Sequence, residues 1–307
     1  MRILLTGGSG LVGRNVKEHR KASSHILLSP NREELDLTNK NNIKSWLKEN
    51  SPEMIIHAAG LVGGIQANIS NPSQFLVKNI EIGCNIISEA AKIGIQNIIN
   101  LGSSCMYPKN AFNPLEEQSI LNGSLETTNE GYALAKIATQ RLCDYLIKED
   151  KSRNYVTLIP CNLYGKYDNY DRFSSHLIAS IIVKLHEAKI KSMESVEVWG
   201  NGKAKREFMY VEDMADSIWF AIEKIKDLPN LINIGTGKDF TVIDYYKEAA
   251  KIINYKGRFH FNIKKPVGMY KKLLDVRKIN NLGWKYKFSL TSGLIKTYNH
   301  YLDKLEN

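Results

Sequence analysis

Tyr132 and Lys136 stand four residues apart in Tyr132-Ala133-Leu134-Ala135-Lys136, a spacing that puts both on one face of a helix. An ammonium beside a phenol lowers its pKa and makes the tyrosine a general acid or base near neutrality. Upstream, Ser103 and Ser104 follow the apolar run Ile98-Ile99-Asn100-Leu101, and Cys105 comes directly after them. A thiol at the carboxyl edge of a strand, beside two hydroxyls, points to chemistry more than to packing. The other three cysteines, Cys84, Cys143 and Cys161, read as small buried hydrophobes.

A second constellation lies at the start of the chain. Gly7, Gly10 and Gly13 follow the apolar run Arg2 to Thr6 at GxxGxxG spacing, and Gly8, Gly10 and Gly13 also satisfy GxGxxG. With Ser9, Leu11 and Val12 they make a turn that leads into a helix. Free N–H groups and the helix dipole at such a start attract a pyrophosphate. A glycine-rich hairpin is the bland alternative. A cofactor with a free ribose 2′-hydroxyl calls for an acid at the end of the second strand. That stretch reads Leu28-Ser29-Pro30-Asn31-Arg32 and carries none. Arg32 then favours a 2′-phosphate, hence NADP; the other reading is a solvated loop arginine.

The elements that must position these groups follow from apolar periodicity. Short apolar runs at Arg2–Thr6, Ile26–Leu28, Met54–Ala59, Ile98–Leu101 and Tyr155–Ile159 read as strands. Helical spacing covers Leu11–Arg20, Asn41–Glu49, Phe75–Lys92 and Tyr132–Lys148. This alternation predicts an α/β fold, a Rossmann-type doubly wound parallel sheet covered on both faces. Ligands of such sheets bind outside the carboxyl ends of the strands, where both constellations fall. Beyond Gly165 the rhythm changes, with helices expected at Asp213–Ile225 and Tyr245–Ile253 and a strand at Leu231–Ile234. A smaller α/β substrate lobe interleaved with the first is expected. Residues 1–165, with a return segment near 203–235, would form the nucleotide-binding part, and 166–202 with 236–307 the lobe.

Composition narrows the classes. The 307 residues are 43% hydrophobic and 24% charged, which excludes disordered, collagenous and coiled-coil chains. The net charge of +10 comes without any block of five or six like charges, so it reads as scattered surface lysine and no nucleic-acid partner is expected. The cysteines show neither CxxC nor zinc spacing, and no metal is expected. No apolar run is long enough for a membrane helix, and the opening MRILLTGG lacks a signal peptide's apolar region and cleavage site. A reduced, soluble, cytoplasmic protein is expected.

TGGSGLVG, HAAG, GSS and YALAK resemble the extended short-chain dehydrogenase/reductases. LVGGIQAN, LGSSCMYPK, TNEGYALAKIA, NLYGKYDNYD, SSHLI, VWGNGKAKREFMYVEDMA, INIGTG and KLLDV are similar to the GDP-L-fucose synthase family, over nearly the whole chain. The resemblance implies NADPH-dependent reduction of a GDP-linked 4-keto sugar with epimerisation at C3 and C5, in nucleotide-sugar biosynthesis, by a homodimer. It implies Tyr132 as the acid at the C4 oxygen and Lys136 as the ribose-binding residue that depresses its pKa. Ser103 matches the hydrogen-bond partner of the keto oxygen, with Ser104 adjacent, and Cys105 and His176 match the proton-exchanging pair. Asn162 with Leu163 matches a cofactor-contacting stretch. Lys184, Trp199, Arg206 and Asp275 match nucleotide-sugar contacts. Trp199 stays open between a core aromatic and stacking on guanine. Arg206 is read as a pyrophosphate contact over an ion pair with Glu207, because the arginine fork fits phosphate.

The chain also departs from the family. Lys184 stands where arginine is usual, Ser9 where a basic residue is common, Gly131 and Lys166 where prolines occur, and Val267 where an acid follows Lys265-Pro266. These departures loosen the expectation at the catalytic turn, at the 2′-phosphate and over the identity of the sugar. The nearest rival is a pure 4-reductase of a GDP-4-keto hexose or heptose. A further rival is a non-catalytic nucleotide-binding protein, since a fold does not fix a function; the intact Ser–Tyr–Lys set argues against it.

Overall fold

The computed structural model describes residues 1–171, 174–265 and 267–306. Pro266, in the stretch that ends with the Val267 departure, lies outside them. In chain order the first elements are β1 (Arg2–Thr6), α1 (Leu11–Glu18), β2 (Ile26–Leu28), α2 (Lys40–Asn50), β3 (Met54–His57), α3 (Ile65–Ser70), α4 (Pro72–Lys92), β4 (Asn97–Leu101), α5 (Glu130–Glu149) and β5 (Asn154–Pro160). There follow β6 (Asn162–Tyr164), α6 (Leu177–Ile190), β7 (Ser195–Trp199), β8 (Lys205–Arg206), β9 (Phe208–Tyr210), α7 (Val211–Glu223), β10 (Leu231–Ile234), β11 (Phe240–Thr241), α8 (Val242–Ile253), β12 (Arg258–Asn262), β13 (Lys271–Lys272), α9 (Arg277–Asn281) and α10 (Leu290–Glu306).

Six strands form one sheet in the order β10-β5-β4-β3-β1-β2, every pair parallel. Side chains alternate across a strand, and both faces of this sheet are covered. Ile3, Leu5, Ile56, Ile99 and Leu158 enter one core cluster. Their neighbours Leu4, Ile55, Ile98 and Tyr155 enter the other. That is why the strands read as continuous apolar runs. The carboxyl ends of β1, β3, β4 and β5 carry the glycine turn, His57, Ser103 and Asn162 to one edge.

A second core joins Ile178, Ile181, Ile182 and Leu185 of α6 to Val196 and Val198 of β7, Tyr245 and Tyr246 of α8, and Leu294 and Tyr298 of α10. Small parallel pairs, β12 with β7 and β6 with β9, and the three-stranded set β11-β8-β13 complete this part. No helix among the described residues is long and apolar enough to cross a membrane.

Several helix limits differ from the periodic reading, and caps account for them. The helix α4 begins at Pro72, ahead of Phe75, because proline suits the first helical position. The helix α8 begins at Val242, ahead of Tyr245. There Thr241 accepts from the Asp244 N–H while Asp244 reaches back to the Thr241 N–H, a capping box. At the other end, α1 stops at Glu18, short of Arg20, and a tight helical turn takes over at Arg20–Ser24. Apolar periodicity is weak at such ends, so sequence spacing misplaces them.

Candidate active site

At the end of β1 the backbone turns back at Gly7, whose φ of +72° suits glycine. A Cβ on Gly13 would lie 2.2 Å from the Gly7 carbonyl oxygen, so the turn and the first turn of α1 touch backbone to backbone. Gly10 caps α1 with no side-chain bond. The N–H groups of Leu11, Val12 and Gly13 head the helix and have no partner within it. This cradle fits a pyrophosphate. Arg14 donates from Nε to the Ser9 carbonyl at 3.0 Å and stacks over Tyr167. Beyond β2, Asn31 Oδ1 accepts the N–H groups of Glu33 and Glu34 and shapes an exposed turn that presents Arg32 to solvent.

At the end of β4 the chain forms a short helical turn over Ser104–Met106. Ser103 Oγ accepts the Cys105 N–H at 3.2 Å, and its hydroxyl lies near enough to the Tyr132 phenol to lower its pKa. Ser104 is buried. The first turn of α5 supplies Tyr132, and the next supplies Lys136. Gly131 does not leave this turn loose: a Cβ there would lie 2.6 Å from the Pro72 carbonyl oxygen, so α5 starts in close contact with α4. Lys136 donates to the Leu101 carbonyl at 2.8 Å, with its nitrogen 5.9 Å from the centre of the Tyr132 ring. Burial lowers the Lys136 pKa to about 8.

One expectation is corrected here. The Tyr132 pKa is raised above that of a free phenol, not depressed. Burial is the main cause, the nearby Cys105 adds to it, and the Ser103 hydrogen bond opposes it. Removing a phenolate from water outweighs what the Ser103 hydroxyl returns. The phenol therefore keeps its proton at neutral pH, the state a proton donor needs.

Cys105 is half-buried, and Asn129 Nδ2 donates to its Sγ at 3.0 Å. Lys272 Nζ lies 3.7 Å from the same sulfur. His176 caps α6, and burial lowers its pKa, so the ring is neutral near pH 7. The segment before it docks on the loop after β3 through the Gly64 N–H and the Ser174 carbonyl, 3.2 Å apart. Asn162 Nδ2 donates to the Glu207 carbonyl at 2.8 Å, and Leu163 packs against the large core.

The nucleotide-sugar candidates differ in their contacts. Lys184 and Lys265 place their nitrogens 5.4 and 5.2 Å from the centre of the Trp199 ring, which is half-buried and outside the core clusters. Burial lowers the Lys184 pKa. Arg206 is not paired with Glu207; its guanidinium donates to the carbonyls of Lys205 at 2.8 Å and Val267 at 2.6 Å. Asp275 forms an ion pair with Arg277. Its carboxylate accepts Arg277 Nε at 2.8 and 3.0 Å, and Arg277 also reaches Glu116 at 3.1 Å.

Sequence reasoning missed Lys272, Asn129 and Glu207. The buried Glu207 carboxylate accepts the N–H groups of Thr236, Gly237 and Leu274 at 2.6–2.8 Å. It thereby locks the strand that carries Arg206. Both Asn129 and Lys272 lie in motifs that mark the family, yet spacing alone does not say which side chains turn toward the thiol.

Asp168, in the loop after β6, is buried, and its Oδ2 has no hydrogen-bond partner among the described residues. Burial raises its pKa to about 7, against a small opposing bond from the Asn169 N–H. A carboxyl raised above its unfolded value adds stability that is full below the unfolded pKa. That contribution disappears as pH climbs to the folded one. Between about pH 4 and pH 7 the fold should lose on the order of 3 kcal/mol from this group. Asp168→Asn should flatten that fall in denaturant titrations run at pH 5 and pH 8. Equal pH dependence in both proteins would clear Asp168 of the effect.

Comparison with known proteins agrees with this geometry. Residues 3–235 match the model of the NAD dependent epimerase/dehydratase family. The chain is 48% identical to a GDP-L-colitose synthase of Yersinia pseudotuberculosis over 307 residues, all of both chains. It is 42% identical to a GDP-L-fucose synthase of Azorhizobium caulinodans, over 98% of this chain and 96% of that one. The solved structure of a GDP-mannoheptose C4 reductase from Campylobacter jejuni with NADP bound superposes with a TM-score of 0.88 at 30% identity, covering 98% of each chain. Matched from end to end by such relatives, the chain belongs to the NAD-dependent epimerase/dehydratase family and, within it, to the group of the GDP-L-fucose synthases.

Proposed function

We propose that the protein reduces the C4 ketone of a GDP-linked 4-keto sugar with NADPH and exchanges protons at C3 and C5 before it does so. The observation that carries this reading is the Ser103–Tyr132–Lys136 set at the end of β4, with the Cys105 thiol beside it. Bound NADPH supplies the hydride. The glycine turn and the N-terminus of α1 hold its pyrophosphate, Arg32 faces the 2′-phosphate, and Lys136 with Asn162 and Leu163 lines the nicotinamide end. Tyr132 gives its proton to the C4 oxygen as negative charge develops there, and Ser103 donates a hydrogen bond to the same atom.

The ketone also acidifies C3 and C5. Cys105 and His176 exchange protons at those carbons, while Ser103 and Tyr132 stabilise the enolate oxygen. Trp199 stacks on the guanine, and Lys184 and Arg206 meet the phosphates. Asp275, tied to Arg277, acts as a support for that wall of the site. A pure C4 reductase remains the second reading, favoured by the likeness to the mannoheptose C4 reductase.

Two further assignments belong here. Val77 and Ile80 on α4 and Leu134 and Tyr145 on α5 are exposed apolar residues on two helices that pack together. We assign this face to a homodimer contact. The four thiols are all free, which suits a reducing compartment, and we place the enzyme in the cytoplasm.

The test is turnover of NADPH with a panel of GDP-4-keto hexoses and heptoses, products being read by NMR. Oxidation of NADPH with one of them is the expected result, and none with any would overturn the reading. Arg32→Ala should raise the KM for NADPH about tenfold or more, the scale of one charged phosphate contact, and leave that for NADH nearly unchanged. Equal changes would take Arg32 out of the 2′-phosphate site.

A further inference from the structure

Reduction at C4 is served by Tyr132, Ser103 and Lys136, and it gives no work to a cation beside the thiol. The structure nonetheless builds one. Lys272 is only 8% exposed and aims its ammonium at Cys105 Sγ from 3.7 Å. Asn129 donates to the same sulfur at 3.0 Å, with its own carbonyl oxygen buried and unpartnered among the described residues. Arg206 is the register partner of Lys272 in the parallel pairing of β8 and β13. Glu207 holds both strands: its main-chain N–H donates to the Lys272 carbonyl at 3.3 Å, and its carboxylate accepts the Leu274 N–H at 2.8 Å. A buried lysine with a flexible stem would turn its ammonium toward water unless something fixed it; this one is fixed on a sulfur.

We propose that Lys272 is a positioning residue for Cys105: with Asn129 it fixes the sulfur and stabilises the thiolate that takes a proton from the sugar carbon beside the ketone. This rests on the epimerising reading above. In that step the carbon–hydrogen bond breaks and a sulfur–hydrogen bond forms. The electron pair passes into the enolate, whose oxygen lies on Ser103 and Tyr132. Lys272 keeps all its protons, and the new thiol exchanges its hydrogen with solvent. A charge-assisted N–H···S contact stabilises the thiolate and leaves the thiol almost unaffected.

The experiment uses the whole enzyme and two readouts. The first is the rate of Cys105 alkylation by iodoacetamide at pH 7 without sugar, with Cys105→Ser giving the background of the other thiols. Lys272→Met should slow it about tenfold, and Lys272→Arg, which keeps the charge, should restore most of it. A purely structural role would give the same rate in all three proteins at equal melting temperature, and that result would overturn the proposal. The second is solvent deuterium entering C3 and C5 of the sugar. Lys272→Met should lower the label at least tenfold while NADPH oxidation with an already epimerised substrate falls far less; an equal fall in both would overturn it. Wild type without any label, but with alkylation still dependent on Lys272, would sink the epimerising reading and the proton-abstracting role together, leaving only the ion pair standing.

Discussion

Tyr132→Phe should lower kcat for ketone reduction by about 10²–10⁴-fold, the contribution of a positioned general acid, with the KM for sugar and NADPH little changed. The ring stays, so its packing beneath Lys136 stays. What goes is the phenol proton beside Ser103. Because burial holds that proton on the phenol, the reduction should not gain speed as pH rises toward 8. Above that, Lys136, whose pKa is about 8, loses its charge, and activity should fall. Steady-state rates followed by NADPH absorbance check both statements. A phenylalanine variant that reduces at a near-normal rate would move the proton donor elsewhere.

The second large effect separates epimerisation from reduction. In D₂O, with the unepimerised 4-keto sugar, the wild-type enzyme should place deuterium at C3 and C5. Cys105→Ser should place about 10²-fold less or lower still, since a serine hydroxyl is a far weaker base than a thiolate and a positioned base contributes at least that much. Cofactor binding should be untouched, because the groups assigned to the cofactor do not include the thiol. NMR of the product reads the label directly. If wild type reduces its best substrate with no deuterium at either carbon, the protein is a pure reductase, and Cys105 and His176 are left to position the sugar.

The sheet was legible because its strands are buried on both faces and therefore announce themselves as apolar runs, as Ile3–Leu5 and Ile98–Ile99 do. The glycine turn and the Tyr132–Lys136 spacing were legible because each is local, fixed by a turn or by one helical repeat. What escaped depends on contacts between distant parts of the chain. Lys272 meets Cys105 across 167 residues, and no periodicity records that. The Tyr132 pKa went the wrong way for the same reason. A four-residue spacing gives the neighbour but not the burial, nor the Leu101 carbonyl that takes the Lys136 ammonium. The motif that holds Asp275 does not say that Arg277, two residues on, bonds its carboxylate.

The last strand of the main sheet, β10, pairs with β5 through Leu231↔Thr157 to Ile234↔Pro160, although the chain between them builds much of the second core. On the way back, α7 lays Trp219 on α1, its indole N–H donating to the Val16 carbonyl at 3.2 Å. A single cut near residue 165 would thus strip β5 of its neighbour and bare an edge ready to pair with other chains. Exchanging sugar preference among relatives by grafting cannot use one crossover. A chimera needs junctions on both sides of the returning segment, so that β8 to β10 travel with the sheet or with the donor as a matched set. Glu207, bonded to residues on both sides of the returning strand, would decide which of those junctions stays folded.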